Sequence, residues 1–254
     1  MNVLAMDTST LVMGVAVLDE RRLLGEILTN QKKNHSVRLM PTVERLLSEL
    51  DVSAQDLDLI AVAMGPGSYT GVRIGVTTAK MMAWGLGLPL AGVSTLLVMA
   101  ASLGPVDGWI CPLIDARRGR VYTGLYRCES GRLRLVQPET VTVWSDWVEE
   151  VLATLDGPVW LAGDDALLHQ ETARATLGER LFTPAPEERL PRPSLAGRLA
   201  LLRHQGDDLL QGLPESVLAV VEGDAVHQFV PRYLQMTEVE QKLLARSAGG
   251  CGQG

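Results

Sequence analysis

The sequence predicts an α/β protein made of two similar halves. Three observations carry this reading. The order strand-strand-strand-helix-strand-helix occurs twice. The first strand of each half ends on an aspartate, Asp7 and Asp115. A glycine-rich joint, Met64-Gly65-Pro66-Gly67-Ser68-Tyr69-Thr70-Gly71-Val72-Arg73-Ile74-Gly75, links an apolar strand to a long helix. No residue-level identity relates the halves, so the repeat rests on element order. With 254 residues, 46% of them hydrophobic, the chain suffices for one large domain or two of about 100–130 residues.

In the first half, Val3-Leu4-Ala5-Met6 reads as a short buried strand ending in the polar turn Asp7-Thr8-Ser9-Thr10. Strands over 13–18 and 23–29 complete an antiparallel meander. Asn34-His35-Ser36 offers a helix start, and Met40, Val43, Leu47 and Leu50 form an apolar stripe that Leu39 and Leu46 widen. A buried strand over 57–64 leads into the joint, and a helix follows to the stop at Gly85–Gly87 and Pro89. Leu90-Ala91-Gly92-Val93 is a strand, and Ser94 caps a helix to about Leu103. Gly104-Pro105 with Asp107-Gly108 reads as a linker.

The pattern then restarts. Strands are expected over 109–114, 119–126 and 133–137, a helix over 144–155, a strand over 159–162 and a helix after Gly163-Asp164-Asp165. Residues 193–205 read as a helix, 217–221 as a strand-like run and Phe229–Leu234 as extended chain. The division is therefore 1–104, 105–238, and 239–254 as a short helix with a fraying tail.

Inside the joint, Gly-Pro-Gly ends the strand abruptly, and Ser68 or Thr70 can cap the helix. Gly71, Gly75, Ala79 and Ala83 put four small residues on one helix face. Glycine inside a helix costs roughly 1 kcal/mol relative to alanine, so close approach of another backbone is expected. The approaching group is the protein's own sheet, a helix of another chain, or a phosphate at the turn. The joint is no Walker loop, lacking Gly-Lys-Ser/Thr, and no dinucleotide fingerprint, lacking G-x-G-x-x-G.

Other chemistries are poorly supported. A net charge of −7 argues against generic nucleic-acid binding by bulk electrostatics, although Arg117, Arg118 and Arg120 form a local cluster that could touch RNA phosphate. Cys111, Cys128 and Cys251 make no C-x-x-C pair, and the start of the chain reads as strand, so a reduced cytoplasmic setting is expected. No apolar run reaches the ~18–20 residues of a membrane span. His35, His169, His204 and His227 are scattered without metal-ligand spacing. G-x-S-x-G is missing, and His35-Ser36 reads as a helix start. Asp7-Thr8-Ser9 is either a self-capped turn or a holder of a Mg–phosphate group.

Several segments together resemble one family. They are Val3-Leu4-Ala5-Met6-Asp7-Thr8-Ser9, His35-Ser36 with Leu39-Met40-Pro41, Gly65 to Gly75 with Ala79-Lys80, and Gly92-Val93-Ser94. To these add Ile114-Asp115-Ala116-Arg117-Arg118-Gly119 with Val121-Tyr122, and Pro231-Arg232-Tyr233-Leu234. The set is similar to the TsaB family, also called YeaZ, from the first strand to about residue 236. The resemblance implies an actin-like (ASKHA) fold of two ribonuclease-H-like βββαβα halves. It implies the non-catalytic dimerisation subunit of the bacterial complex that makes threonylcarbamoyladenosine in tRNA.

The implied partners are TsaD in a heterodimer, the ATPase TsaE, and tRNA through the complex, with a homodimer when the chain is alone and no membrane. The catalytic paralogue TsaD carries two metal-binding histidines on the helix after the corresponding Gly-Val, where Thr95 and Met99 stand here. Neither replaces an imidazole on a hard metal, so no catalytic residue and no metal are expected. The family's glycoprotease label derives from that paralogue, and no peptidase signature is present. The partner contact is expected on the helices matching 36–50 and 70–85, through Ser36, Met40, Val43, Leu47, Gly71, Arg73, Ile74, Gly75, Thr78, Ala79 and Met82. No cofactor of its own is implied, with ATP or ADP at the complex interface as the candidate nucleotide. Asp7, Thr8, Ser9 and Asp115 are the residues for it, with Asp7 and Asp115 both expected to face one cleft. The alternative is a small-molecule kinase of the actin-like superfamily that uses Asp7 and Asp115 around Mg-ATP.

Overall fold

The structure, a computed structural model, describes residues 1–31, 34–210 and 212–235. The first sheet starts with the meander β1 (Val3–Asp7), β2 (Val12–Leu18) and β3 (Leu23–Asn30). Helix α1 (His35–Glu49) follows, with the Asn34 side chain accepting from the Ser36 amide at its N-terminus. Strand β4 (Leu59–Ala63) lies parallel to β1 on its free side. Helix α2 (Tyr69–Leu86) returns the chain to β5 (Leu90–Val93), parallel to β4. Every residue of β1, β2, β4 and β5 is buried. Their runs are apolar without alternation because helices cover both faces. On one face Leu4, Met6 and Val62 meet Leu39, Val43 and Leu46 of α1 and Val72, Val76 and Ala79 of α2.

Helix α3 (Thr95–Ser102) carries the chain to the second half. There β6 (Gly108–Arg117), β7 (Arg120–Glu129) and β8 (Arg132–Val143) form the second meander. After α4 (Trp144–Glu150), β9 (Val159–Ala162) pairs parallel to β6. After α5 (Ala166–Leu177), the short β10 (Leu181–Phe182) pairs parallel to β9. The sheets therefore share one order, β3-β2-β1-β4-β5 and β8-β7-β6-β9-β10. The repeat read from element order is a repeat of topology, and the fold is actin-like with two ribonuclease-H-like halves. Helix α3 lies between the sheets, where Leu96, Leu97 and Met99 share a core with Ala5 and Leu59 of one and Ile110 and Tyr126 of the other.

Several expectations shift. The strand expected over 133–137 runs to Val143, and the helix expected over 144–155 ends at Glu150, followed by a 3-10 turn. The larger difference lies after residue 192. Helix α6 (Pro193–Gln205) has the expected bounds but belongs to the first sheet. A Cβ on Gly197 would meet Leu18 at 2.4 Å, and one on Gly14 would meet Pro193 at 2.7 Å. Strand β11 (Leu218–Val221) pairs antiparallel with β5 and extends the first sheet to six strands. The span 105–238 is thus not one spatial half. Helix α7 (Ala225–Gln228) and Phe229 pack on the first half, and the chain beyond them reaches the second through Arg232 and Gln235. The expected short helix over 239–254 lies outside the described residues. Among the described residues no helix is long and apolar enough to cross a membrane.

Candidate functional site

The glycine joint is shaped by the turn that follows β1. The Ser68 amide donates to the carbonyl oxygen of Ser9 at 2.7 Å, and the Ser68 side chain accepts from the Gly71 amide, capping α2. A Cβ on Gly67 would sit 2.2 Å from the Ser9 carbonyl oxygen, and one on Gly71 would sit 2.1 Å from that of Thr8. On Gly75 it would be 2.6 Å from Thr8 Oγ1. Ala79 and Ala83 are fully buried in the core. The small-residue stripe therefore packs on the protein's own first strand and turn. Gly71, Gly75 and Ala79 are not surface residues, and neither are Val43 and Leu47, whose side chains fill the same core. Close approach does occur, as the glycines require, but with Thr8 and Ser9 of the same chain.

The outward face of α2 differs. Tyr69, Arg73, Thr77 and Met81 recur every four residues and are exposed. Arg73 donates to the Tyr69 hydroxyl at 2.8 Å, with its guanidinium 5.3 Å from the ring centre. With Ser36 of α1, Tyr69, Arg73, Ile74, Thr77 and Thr78 line a groove of about 490 Å³. Val37, Met40, Met81 and Trp84 add exposed apolar surface on the two helices, and Met82 is half-buried.

A cleft of about 740 Å³ opens between the halves. Ser9, Thr10, Asn30 and the start of α2 form one wall, and Ile114, Asp115, Arg117, Tyr122, Asp164 and Asp165 the other. Asp115 is held by His169, whose Nε2 lies 3.1 Å from Oδ1. Its amide donates to Asp165 at 2.9 Å. Burial raises the Asp165 carboxyl above the usual range, the amide bond opposes this, and the charges of Asp115 and Asp164 add to it. Asp164 is shared between Arg189, 3.6 Å away, and the Asn30 amide, 3.3 Å across the cleft. At the cleft rim, Arg118-Gly119 is the two-residue loop of the β6–β7 hairpin, and Arg117 and Arg118 have φ of +67° and +56°. Arginine is an uncommon occupant of the left-handed region.

The expected pair of facing aspartates is not formed. Asp115 lies on the cleft wall, but Asp7 is fully buried and Ser9 covers it. The Ser9 amide and hydroxyl donate to Asp7 Oδ1 at 2.7 and 2.6 Å. The other carboxylate oxygen has no partner among the described residues, and burial raises this carboxyl despite Ser9 and the charge of His35. Thr8 is buried beneath α2, its hydroxyl donating to the Gly71 carbonyl at 2.7 Å. Of the four candidate nucleotide residues, Ser9 and Asp115 reach the cleft. A Mg–phosphate group held between Asp7 and Asp115 does not fit this arrangement. Thr95 is buried with an unpartnered hydroxyl, and Met99 contributes a thioether to the cleft. Among the described residues no group of three or more His, Cys, Asp or Glu has metal-holding geometry.

One buried polar cluster escaped the sequence reading. Glu139 of β8 is a buried carboxylate that takes the Ser94 hydroxyl at 2.6 Å, the Tyr126 hydroxyl and the Arg232 guanidinium. The partners lie 13, 45 and 93 residues away, so no local pattern announces them.

Residues 22–158 match the family model described as TsaD, tRNA N6-adenosine threonylcarbamoyltransferase. A Bacillus subtilis (strain 168) protein named tRNA threonylcarbamoyladenosine biosynthesis protein TsaB is 43% identical over 242 residues, 95% of this chain and 97% of that protein. An Escherichia coli (strain K12) protein of the same name is 31% identical, over 75% of this chain and 85% of its own. The solved structure of YeaZ from Pseudomonas aeruginosa superposes with a TM-score of 0.68 at 30% identity, covering 92% of this chain and 99% of that one.

Proposed function

The chain belongs to the TsaB family, whose members are named for tRNA threonylcarbamoyladenosine biosynthesis, and on that premise we propose that it is the non-catalytic subunit of the modifying complex. It docks TsaD and lets the ATPase TsaE and tRNA engage the assembly, and without TsaD the same face pairs two copies. The carrying observation is the outer face of α1 and α2. It exposes Val37, Met40, Tyr69, Met81 and Trp84, and Ser36, Tyr69, Arg73, Ile74 and Thr78 line a groove on it. Exposed apolar surface of this kind marks an interaction site. The partner contact is therefore assigned to Ser36, Met40, Arg73, Ile74, Thr78 and Met82, in a cytoplasmic setting.

The cleft chemistry supports the non-catalytic assignment. Thr95 and Met99 offer a hydroxyl and a thioether where TsaD carries metal-binding histidines, and neither replaces an imidazole on a catalytic metal. Asp7 is buried beneath Ser9 and does not line the cleft, which disfavours the kinase alternative. Any ATP or ADP is assigned to the interface with the partner.

Co-expression with TsaD tests this. The two proteins are expected to co-elute in size-exclusion chromatography, and Met40→Asp or Ile74→Asp to separate them. The chain alone is expected not to modify tRNA, and to support modification with TsaD, TsaE, ATP and threonylcarbamoyl-adenylate. Modification by this chain with the adenylate alone would overturn the non-catalytic reading.

A further inference from the structure

The described chain ends in an extended segment, residues 229–235, that straps over the glycine joint. Phe229 enters against Gly92, where a Cβ would sit 2.3 Å from its ring, and Lys80 of α2 donates to its carbonyl at 3.0 Å. The Arg232 amide donates to the Met64 carbonyl at 2.8 Å. The Arg232 carbonyl oxygen lies 2.6 Å from where a Cβ on Gly65 would stand, so the joint and the strap are fitted to each other. The guanidinium then crosses to the second half and pairs with buried Glu139. The next residue, Tyr233, stacks on Tyr69 with ring centres 5.1 Å apart.

Two features call for an explanation beyond folding. A buried ion pair is weak support for stability, because desolvation offsets its Coulomb attraction, so what Arg232 and Glu139 supply is position. What they position is an exposed aromatic. Tyr69 and Tyr233 remain 46% and 45% exposed, and the Arg73 guanidinium lies over the Tyr69 ring. Tyrosine and arginine held rigid at the surface are the residue types that dominate binding energy at interfaces. Tyr69 also lines the α1–α2 groove, so the stacked pair continues it without a break.

We propose that Tyr233, held on Tyr69 by the Arg232–Glu139 pair, is part of the surface that grips the TsaD partner, and that Arg232 is a positioning residue for it. The inference rests on the docking reading above and adds an element from the far end of the chain. The second half thereby helps shape a face carried by the first.

The test titrates full-length variants against purified TsaD. Tyr233→Ala, a change at an exposed ring, is expected to leave the fold intact by circular dichroism and weaken capture about tenfold. Tyr233→Phe keeps the stack and is expected to bind like the wild type. Arg232→Ala leaves Glu139 uncompensated, so it is paired with Glu139→Gln to keep the protein folded. That double variant is expected to weaken capture similarly, and to add little once Tyr233 is already alanine. Met40→Asp, at an exposed position of α1, is the reference. If Met40→Asp abolishes capture while folded Tyr233→Ala binds TsaD with unchanged affinity, the strap proposal is overturned and the docking reading stands. If neither change matters, both fall. If Tyr233→Ala alters only pairing of two copies, the assignment to TsaD is overturned.

Discussion

The Thr8 hydroxyl donates to the Gly71 carbonyl at 2.7 Å, and the Thr8 carbonyl oxygen occupies the space a Gly71 side chain would need. This reciprocal fit locks the start of α2 onto the end of β1. It fixes which face of the helix looks inward, and so which face is left for a partner.

Gly75→Leu follows directly. The new side chain meets Thr8 Oγ1 inside the monomer, and overpacking of this kind costs about 1–3 kcal/mol. The variant is expected to lose stability in urea unfolding. A fully stable Gly75→Leu that fails only in association would return the stripe to the interface.

Gly65→Ala places a Cβ against the Arg232 carbonyl oxygen at a φ of +101°. Strain at such a position costs about 1–3 kcal/mol. The strap is expected to lift, and the Arg232 amide to exchange its hydrogen faster than in the wild type. Unchanged protection of that amide would show that the strap is held elsewhere.

Asp7 carries a pH signature. Burial raises its folded-state carboxyl above the unfolded value, so the native state binds more protons. Its contribution therefore falls as pH rises from the unfolded carboxyl value through the raised one, and is lowest above both. Asp7→Asn is expected to gain about 1 kcal/mol at neutral pH, with the gain shrinking as pH drops toward 4. A gain that does not vary with pH would mean that Asp7 is not the titrating group.

Arg117 sits at a φ of +67°, where glycine is unstrained. Arg117→Gly is expected to raise stability by about 1 kcal/mol, read from the thermal midpoint. A fall would mean that the arginine side chain contributes more than its backbone costs.

The sequence made some of this legible and hid the rest for physical reasons. Val3-Leu4-Ala5-Met6 and residues 193–205 announced their own secondary structure, because burial on both faces and a Pro start leave local marks. The four-residue spacing of Gly71 and Gly75 reported a close neighbour but not its identity, since a carbonyl of the same chain and a foreign helix demand the same small residue. The destination of β11 was invisible, because an apolar run carries no address for the edge it joins. Glu139 fell beyond the strand expected over 133–137, and its meaning comes from an arginine 93 residues later.

The path of the chain also sets how firmly the two halves are joined. Covalent chain passes between them twice, once at 103–107 and again at 183–192 on the way back to α6. The core that α3 shares with both sheets and the reach of Arg232 back to Glu139 add two ties that are not covalent. A single cut in the loop at 183–192 therefore leaves the halves connected through the other crossing, the shared core and the strap.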